Sequence, residues 1–247
     1  MSKAGNLTIL KSYRINIPLF YVLESSEYNK ENLCKWLNRY DDSTLFAVRS
    51  SCNVEDGNTY SYAGLFDTYL YIPKKHLNKY IEMCFDSINN ERVSDYMKKN
   101  KLQEEIVVNV IIQEMIDSEV SGVLFSKNPL THEEEFYIEC GYGIGEGIVS
   151  GEISPDIIRV NPDRQKIILY EIGFQKYKIG RNTSSNGVEK KKVNELNQSK
   201  KKFTNRNLKR LIKTVQKIKK IFPFDLDVEF GILKNKVYIL QVRPMTI

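Results

Sequence analysis

From about residue 106 onward the chain is a succession of short apolar runs separated by turns, and this restricts the second half to a sheet-rich fold. Residues 106–112 and 120–126 are rich in β-branched side chains, and shorter runs follow at 136–140, 157–160 and 167–170. Short runs of β-branched and aromatic residues bounded by turn residues are typical of strands. We therefore predict a strand-rich second half.

The first part of the chain mixes helical and extended patterns. Residues 3–11 and 75–99 have helical character, and Leu33, Trp36 and Leu37 recur at helical spacing. Residues 45–48 and 66–72 read as strands between these segments. The whole pattern predicts an α+β fold with a helix-rich lobe, residues 1–110, and a strand-rich lobe, residues 111–247, which together form one functional domain. Clefts between lobes are common ligand sites.

Composition narrows the class of protein. The 247 residues are 41% hydrophobic, and no apolar run is long enough to span a bilayer. The N-terminus lacks the pattern of an export signal. The four cysteines are widely spaced without a Cys-x-x-Cys pair, which argues against zinc and suits reduced, buried thiols. We therefore expect a cytoplasmic protein with no membrane partner.

The net charge of +6 comes largely from lysine-rich stretches between residues 190 and 220. Residues 207–221 form an amphipathic helical pattern, so we interpret much of this charge as a solvated helix face. We predict that the polar residues 175–205 form a loop or an excursion. No aromatic residues interleave with the lysines as stacking platforms for bases would require, which disfavours a nucleic-acid partner.

The end of the chain predicts a hairpin, with strands at 226–232 and 236–242 around a turn at Lys234 and Asn235. Strand side chains alternate, so Asp227 and Glu229 share one face of the first strand, and Gln241 and Arg243 share one face of the second. Carboxylate and amide oxygens suit Mg²⁺, and an adjacent arginine fork suits phosphate. The alternative is an exposed face that carries a surface ion pair.

Arg49 ends an apolar strand and precedes Ser50 and Ser51, an arrangement that can hold phosphates. The alternative is a salt bridge to Glu55 or Asp56.

Residues 141–151 are rich in glycine, but they match neither the dinucleotide fingerprint nor the phosphate loop of nucleotide triphosphatases. Glycines allow backbone N–H groups to approach a ligand closely, and they equally allow a tight packing turn. Gln113, Glu114 and Met115 follow a β-branched run, where their backbone groups can read an adenine edge.

Together these segments resemble the ATP-grasp nucleotide-binding domain of the phosphoenolpyruvate synthase and pyruvate phosphate dikinase family. The similarity covers nearly the whole chain in the family's order. The matching segments are residues 3–7, 46–56, 63–70, 113–115, 121–125, 143–156, 227–230 and 239–244. They include the stretches Val48-Arg49-Ser50-Ser51, Ala63-Gly64, Asp227-Val228-Glu229-Phe230 and Gln241-Val242-Arg243-Pro244.

The resemblance implies a two-lobed ATP-grasp fold with the nucleotide in the interlobe cleft, and ATP and Mg²⁺ as cofactors. It implies that Glu229 and Gln241 ligate the metal and that Asp227 belongs to the nucleotide site. It places Lys3, Arg49 and Arg243 on the phosphates as the catalytic cations, and Gln113, Glu114 and Met115 at the adenine.

The sequence departs from the family pattern at several points. Met1 and Ser2 replace two glycines before Lys3, the stretch between Val22 and Leu45 is shorter than usual, and a family arginine pair is reduced to Arg92, with Met97 at the second position. The chain stops at Ile247, and neither His76 nor His132 lies in a phosphohistidine context. We therefore expect that this chain alone does not complete phosphoenolpyruvate synthesis.

The leading hypothesis is an ATP-dependent phosphotransferase. Its acceptor is a histidine on a separate carrier or acceptor-binding protein, or a small metabolite bound directly. One alternative is an ATP-grasp ligase that activates a carboxylate for amide bond formation. A second is a non-catalytic nucleotide-binding module, or a regulatory one that binds nucleic acid through residues 190–220.

Overall fold

The structure, a computed structural model, describes residues 2–24, 28–52, 67–87, 90 and 107–245. Their helices are α1 Lys3–Ser12, α2 Lys30–Leu37, α3 Leu77–Asp86, α4 Glu146–Val149 and α5 Asn205–Lys219, with 3₁₀ turns η1 Lys74–His76 and η2 Glu195–Asn197. Their strands are β1 Phe20–Leu23, β2 Leu45–Cys52, β3 Thr68–Pro73, β4 Val108–Glu114, β5 Val120–Phe125, β6 Phe136–Tyr142, β7 Asp156–Asn161, β8 Lys166–Glu171, β9 Tyr177–Arg181, β10 Val188–Lys192, β11 Leu226–Leu233 and β12 Lys236–Pro244. The predicted α+β class is confirmed. Within these residues, no helix combines the length and apolarity needed to cross a membrane.

The chain divides into two compact units. The first contains the described residues of Met1–Asn6, Pro18–Met115 and Asn182–Gly187, and the second those of Leu7–Ile17, Ile116–Arg181 and Val188–Ile247. The lobe limits of 1–110 and 111–247 stay a prediction.

The first unit is built on a four-stranded antiparallel sheet in the order β1-β4-β2-β3. Side chains alternate along β2, so Phe46 and Val48 point into a core that also contains Trp36 of α2 and Ile81 of α3. Ala47 and Arg49 therefore lie on the opposite face of the sheet. Helix α2 is capped by a hydrogen bond from Asn32 N–H to the side chain of Asn29.

The second unit is built on a six-stranded antiparallel sheet in the order β12-β11-β5-β6-β7-β8. Helix α5 contacts β11 and β12 and is capped by Thr204, whose hydroxyl accepts from Asn207 N–H. Its predicted apolar stripe is confirmed, because Leu208, Leu211, Ile212, Val215 and Ile218 are all buried. The lysines of α5 such as Lys209 and Lys213 lie on its exposed face.

Residues 175–205 were predicted to form a loop or an excursion, and the loop alternative is wrong, because the segment contains the antiparallel hairpin β9–β10 and the turn η2. Strand β10 has the sequence Val-Glu-Lys-Lys-Lys, which has almost no apolar content. The extended backbone of β10 is set by its pairing with β9. The sequence of β10 itself has no alternation of apolar and polar residues that would predict a strand.

The hairpin predicted at the end of the chain is confirmed. Strands β11 and β12 pair directly, and the turn residues Lys234 and Asn235 both have positive φ, 48° and 59°. Two consecutive left-handed residues match the right-handed twist of the flanking strands, which is the usual geometry of a two-residue hairpin. The turn fixes the register as far as Phe230, and the bulge that follows shifts it by one residue, so that Glu229 is opposite Gln241.

Candidate nucleotide site

Four candidate residues of the second unit face one another in two cross-strand pairs. Asp227 of β11 is directly opposite Arg243 of β12, and Glu229 is directly opposite Gln241. A bulge begins after Glu229, so both pairs lie in the regular part of the ladder. The two acids share one face of β11, and their partners share the matching face of β12.

The Asp227–Arg243 pair is a partly buried ion pair. Arg243 Nε donates to Asp227 Oδ2 at 2.7 Å, and the side chains are 8% and 32% exposed for Asp227 and Arg243 respectively. The alternative of a simple surface ion pair does not describe this contact, because the carboxylate is almost wholly out of solvent. Such a pair holds the arginine fork in a fixed orientation.

Burial raises the pKa of Asp227 above its ordinary value of 3.8, and the nearby Glu229 carboxylate raises it further. Arg243 opposes both effects through its charge and its hydrogen bond. The second carboxylate oxygen, Oδ1, is buried without a hydrogen-bond partner among the described atoms. A buried carboxylate oxygen of this kind carries a desolvation cost that a cation or donor would relieve.

The donor set at these two pairs fits a hard divalent cation. Carboxylate oxygens of Asp227 and Glu229 and the amide oxygen of Gln241 are the ligand types that Mg²⁺ takes. Gln241 is buried, which restricts its amide to few orientations. Among the described residues no cluster of three His, Cys, Asp or Glu side chains has metal-binding spacing, so a metal here requires Gln241 or a ligand oxygen.

Arg49 and Lys3 are both in the first unit. Arg49 lies on the face of β2 that points away from the apolar core, opposite Ile111 of β4. Ser51, on the same face, accepts a hydrogen bond from Ala4 N–H at 3.1 Å through its hydroxyl. That bond fixes the start of α1 beside the part of β2 that carries Arg49, and Lys3 is the first residue of α1.

Gln113 and Glu114 end β4, and Met115 follows it. The N–H groups of Glu114 and Met115 donate to the carbonyl oxygens of Leu19 and Leu45 at 2.8 and 2.9 Å. Gln113 is buried, and its Nε2 has no hydrogen-bond partner among the described atoms. Burial also raises the pKa of Glu114. The Gln113 Nε2 is therefore the described donor of this segment that is left to read a base, whereas the N–H groups of Glu114 and Met115 are already used.

The glycine-rich block packs tightly against β9. Ile144 N–H donates to Ile179 O, and a Cβ at Gly143, whose φ is +91°, would lie 2.3 Å from that same oxygen. A Cβ at Gly147 would lie 2.9 Å from the Ile179 side chain. The packing-turn alternative therefore accounts for both glycines.

Asp156 forms a buried ion pair with Lys202 that no sequence pattern predicts. Its carboxylate is fully buried and pairs with Lys202 Nζ at 2.8 Å, and it also accepts from Tyr170 Oη and Gly173 N–H. Lys202 appeared in sequence as the last member of a lysine run. No periodic pattern distinguishes it from the exposed Lys200 and Lys201.

The structure thus assembles the candidate residues in two groups. Asp227, Glu229, Gln241 and Arg243 are brought together in the second unit. Lys3, Arg49 and the segment Gln113 to Met115 belong to the first, where Gln113 is paired with Ala47, two residues before Arg49. The predictions on Glu55, Asp56, Ala63, Gly64, Arg92 and Met97 lie outside the described residues.

Comparison with known proteins decides the family. The family described as "Pyruvate phosphate dikinase, AMP/ATP-binding domain" matches residues 29–247. The chain belongs to this family. Membership of the pyruvate phosphate dikinase AMP/ATP-binding family confirms the resemblance stated from the motifs.

Relatives of the family cover most of this chain. An uncharacterized phosphotransferase, YvkC, from Bacillus subtilis is 37% identical over 204 residues, which are 81% of this chain and 24% of that protein. Rifampicin phosphotransferase from Bacillus cereus is 32% identical over 87% of this chain and 25% of its own length. A probable phosphoenolpyruvate synthase from Methanocaldococcus jannaschii is 33% identical over 89% of this chain and 18% of its own length. The chain therefore spans about a quarter or less of these relatives.

A solved structure of D-alanine–D-alanine ligase from Bacillus anthracis aligns with 99% of this chain and 56% of its own, at 11% identity and a TM-score of 0.49. A structural similarity this weak does not show which reaction this chain catalyses.

Proposed function

We propose that this chain binds Mg·ATP and acts as an ATP-dependent phosphotransferase of the phosphoenolpyruvate synthase and pyruvate phosphate dikinase type. The observation that carries the proposal is the pairing of Glu229 with Gln241 and of Asp227 with Arg243 across one hairpin. It puts oxygen ligands for a cation directly beside a cation for phosphates, which is what a metal–nucleotide site needs.

In this proposal Glu229 and Gln241 hold Mg²⁺, and Asp227 adds its unpartnered Oδ1 to the same oxygen-rich surface. Bound Mg²⁺ bridges phosphate oxygens and neutralises their charge. Arg243 presents the rest of its guanidinium to the phosphates while Asp227 holds its Nε. The ion pair keeps the fork oriented before the nucleotide arrives, so less ordering is required on binding.

Lys3 and Arg49 are proposed as further cations for the phosphates. The Ala4–Ser51 hydrogen bond supports this role, because it holds the first turn of α1 against the strand that carries Arg49. The N-terminal end of a helix also favours negative charge through its unpaired N–H groups and its dipole. Transfer of a phosphoryl group depends mainly on positioning and on charge stabilisation, which these side chains supply.

The segment Gln113 to Met115 is proposed to bind adenine. The buried Gln113 amide supports this, because its Nε2 is without a partner among the described atoms. A donor at this position can bond to a ring nitrogen, and backbone carbonyl oxygens can accept from the exocyclic amine. The N–H groups of Glu114 and Met115 keep their bonds to Leu19 and Leu45.

The acceptor is proposed to be a histidine on a separate carrier protein or a small metabolite bound directly. The relatives include proteins named rifampicin phosphotransferase and probable phosphoenolpyruvate synthase, and the first name supports a small-molecule acceptor. The proposal covers the nucleotide half of the reaction, because this chain spans only part of those proteins.

The test compares wild type with Glu229→Gln, which keeps the shape of the side chain and removes its charge. We expect Glu229→Gln to lose ATP turnover by at least about 100-fold, since charge stabilisation of this kind is worth about 3 kcal/mol or more. Glu171→Gln is the matched control, because Glu171 lies on β8, at the other edge of the same sheet. Turnover is followed as labelled phosphate leaves ATP, with candidate acceptors added in turn.

Thermal unfolding supplies an independent readout. At a ligand concentration about 100 times its dissociation constant, a native-state ligand stabilises a protein by about 2.7 kcal/mol, which here raises Tm by a few degrees. We expect this rise in wild type and Glu171→Gln only when Mg²⁺ and ATP are both present. A Glu229→Gln variant that turns over ATP at the wild-type rate would show that the metal assignment is wrong.

A further inference from the structure

The six-stranded sheet of the second unit has two edges that differ in how they are covered. At the β12 edge, Ile239 N–H donates to Asn16 O at 2.9 Å, and Asn16 Nδ2 donates to Val237 O at 2.6 Å. At the other edge, within the part of the chain that the structure describes, β8 pairs only with β7. The outer N–H and C=O groups of such an edge strand are a template for pairing with another strand.

Strand β8 is apolar in its centre and charged at both ends. Ile167 and Ile168 are 38% and 52% exposed, and Ile172, directly after the strand, is 45% exposed. The charged residues are Lys166 at the start and Glu171 at the end, and both are exposed. Neither forms an ion pair with another described residue. The strand therefore presents apolar side chains flanked by one cation and one anion.

A bulge places the two charges on the same face of the sheet. Lys166 is opposite Asn161 of β7, and Glu171 is opposite Ile157. Asn161 and Ile157 are four residues apart on β7, so their side chains share one face. The register shift in this ladder gives β8 one extra residue. Lys166 and Glu171 therefore share that face, although residues five apart would lie on opposite faces of a regular strand.

This arrangement makes β8 complementary to a second copy of itself. A two-fold axis perpendicular to the sheet places two β8 strands antiparallel, edge to edge, and keeps every side chain on its own face. With Lys166 opposite Glu171 of the partner subunit, Ile167 is opposite Tyr170 of the partner subunit. Ile167 and Tyr170 both lie on the other face of the sheet, so the faces match at these positions as well. The opposite charges meet twice, once at each end.

We infer that β8 is the interface of a homodimer in which two copies of this chain join their six-stranded sheets edge to edge. Backbone hydrogen bonds between the two strands hold the dimer, and two Lys166–Glu171 contacts set its register. The exposed isoleucines of each copy lose water in the contact. Because each copy uses the same strand, the pairing is closed at two copies.

The test is sedimentation equilibrium over a range of protein concentrations at low salt. We expect a concentration-dependent dimer. Lys166→Glu should weaken dimerisation at least about tenfold, because it creates two contacts between like charges. Lys166→Glu/Glu171→Lys should restore the dissociation constant to within about threefold of wild type, because the exchanged charges still meet. Lys213→Glu is the matched control, since it makes the same change of charge on the exposed face of α5.

Amide hydrogen exchange locates the contact. We expect exchange at residues 166–171 to slow as the protein concentration rises, while exchange in β12 stays unchanged. A chain that is monomeric at every concentration tested would overturn the inference. So would a dimer whose β8 amides exchange at a constant rate, or one that the double variant does not restore. ATP turnover should be unchanged in Lys166→Glu, so failure of this interface and failure of the proposed function are distinguishable.

Discussion

Asp227 is the residue at which burial and charge oppose each other most directly. Its carboxylate bonds to Arg243, yet burial raises its pKa above the ordinary value. A native state with a raised carboxyl pKa holds its proton more tightly than the unfolded chain does. Ionised Asp227 therefore lowers the free energy of unfolding, and this cost appears as pH rises from about the unfolded value of 3.8 through the raised pKa.

Asp227→Asn should remove this cost while it keeps an acceptor for Arg243 Nε. We expect Asp227→Asn to gain stability relative to wild type, measured as the free energy of unfolding, as the pH rises from acid to neutral. Denaturant unfolding at several pH values and constant ionic strength measures the difference. Asp163→Asn, at an exposed position, controls for the loss of one negative charge. A difference that is flat or falls with pH would contradict the assigned effect of burial.

At the candidate site, the sequence predicts which side chains share a strand face, because side chains alternate along a strand. That Asp227 shares a face with Glu229, and Gln241 with Arg243, needed only the period of two. That the two faces meet was not predictable, because the bulge after Glu229 shifts by one residue the register set at Lys234 and Asn235. The buried ion pair of Asp156 with Lys202 was not predictable. The two partners are 46 residues apart, and the neighbours of a lysine in a polar run do not indicate that the lysine is buried.

At the scale of elements, the six-stranded sheet depends on one close approach between β5 and β6. A Cβ at Gly122 would lie 2.0 Å from the backbone oxygen of Glu139. Backbone on both sides cannot rotate away as a side chain can, so the strands must separate. We expect Gly122→Ala to lower the free energy of unfolding by about 3 kcal/mol or more.

Gly180→Ala is the control for that variant, because Gly180 is also in a strand and its Cβ would meet only Lys191 side-chain atoms at 3.8 Å. We expect a change within about 1 kcal/mol there. Chemical denaturation of both variants measures the contrast. Equal costs at the two positions would mean that strand propensity, and not the β5–β6 contact, requires glycine at 122.

The excursion at residues 175–205 is held to the sheet by a buried ion pair. Lys202 Nζ and the Asp156 carboxylate are both fully buried, and Lys202 N–H also donates to Asp156 Oδ2. Lys202→Met keeps most of the side-chain length and leaves the carboxylate buried without its cation. We expect a loss of about 3–5 kcal/mol, as for other broken buried pairs.

Lys200→Met tests the specificity of that loss, because Lys200 is exposed and only two residues away. A surface change of this kind should stay within about 0.5 kcal/mol. Both values come from denaturant unfolding near neutral pH. If the two variants lose the same stability, the Asp156–Lys202 pair does not anchor the excursion.

At the scale of the whole molecule, the four cysteines are free and differ in accessibility. Cys34 is exposed, which corrects the expectation that all four are buried, whereas Cys52, Cys84 and Cys140 are buried. Burial raises the pKa of Cys84 to about 12 and that of Cys140 well above its ordinary value. Thiolate is the reactive form, so buried thiols with raised pKa values react slowly.

Reaction of the native chain with a thiol-specific disulfide reagent should therefore show one fast thiol and three slow ones. Unfolding in denaturant should make all four react fast. Cys34→Ser should abolish the fast phase, and Cys52→Ser should leave it intact. A second fast thiol in the native chain would contradict the burial of these side chains.

The sequence by itself determined the α+β class, the family, the terminal hairpin and the residues proposed to hold metal and phosphate. These depend on local period, on turn residues such as Lys234 and Asn235, and on short ordered motifs. Only the tertiary structure decided that the lysine-rich excursion contains a hairpin, that Lys202 is buried against Asp156, and that two glycines are required by Ile179. The physical reason is that strand pairing, burial of charge and close backbone approach depend on partners distant in sequence, whose positions exist only once the chain has folded.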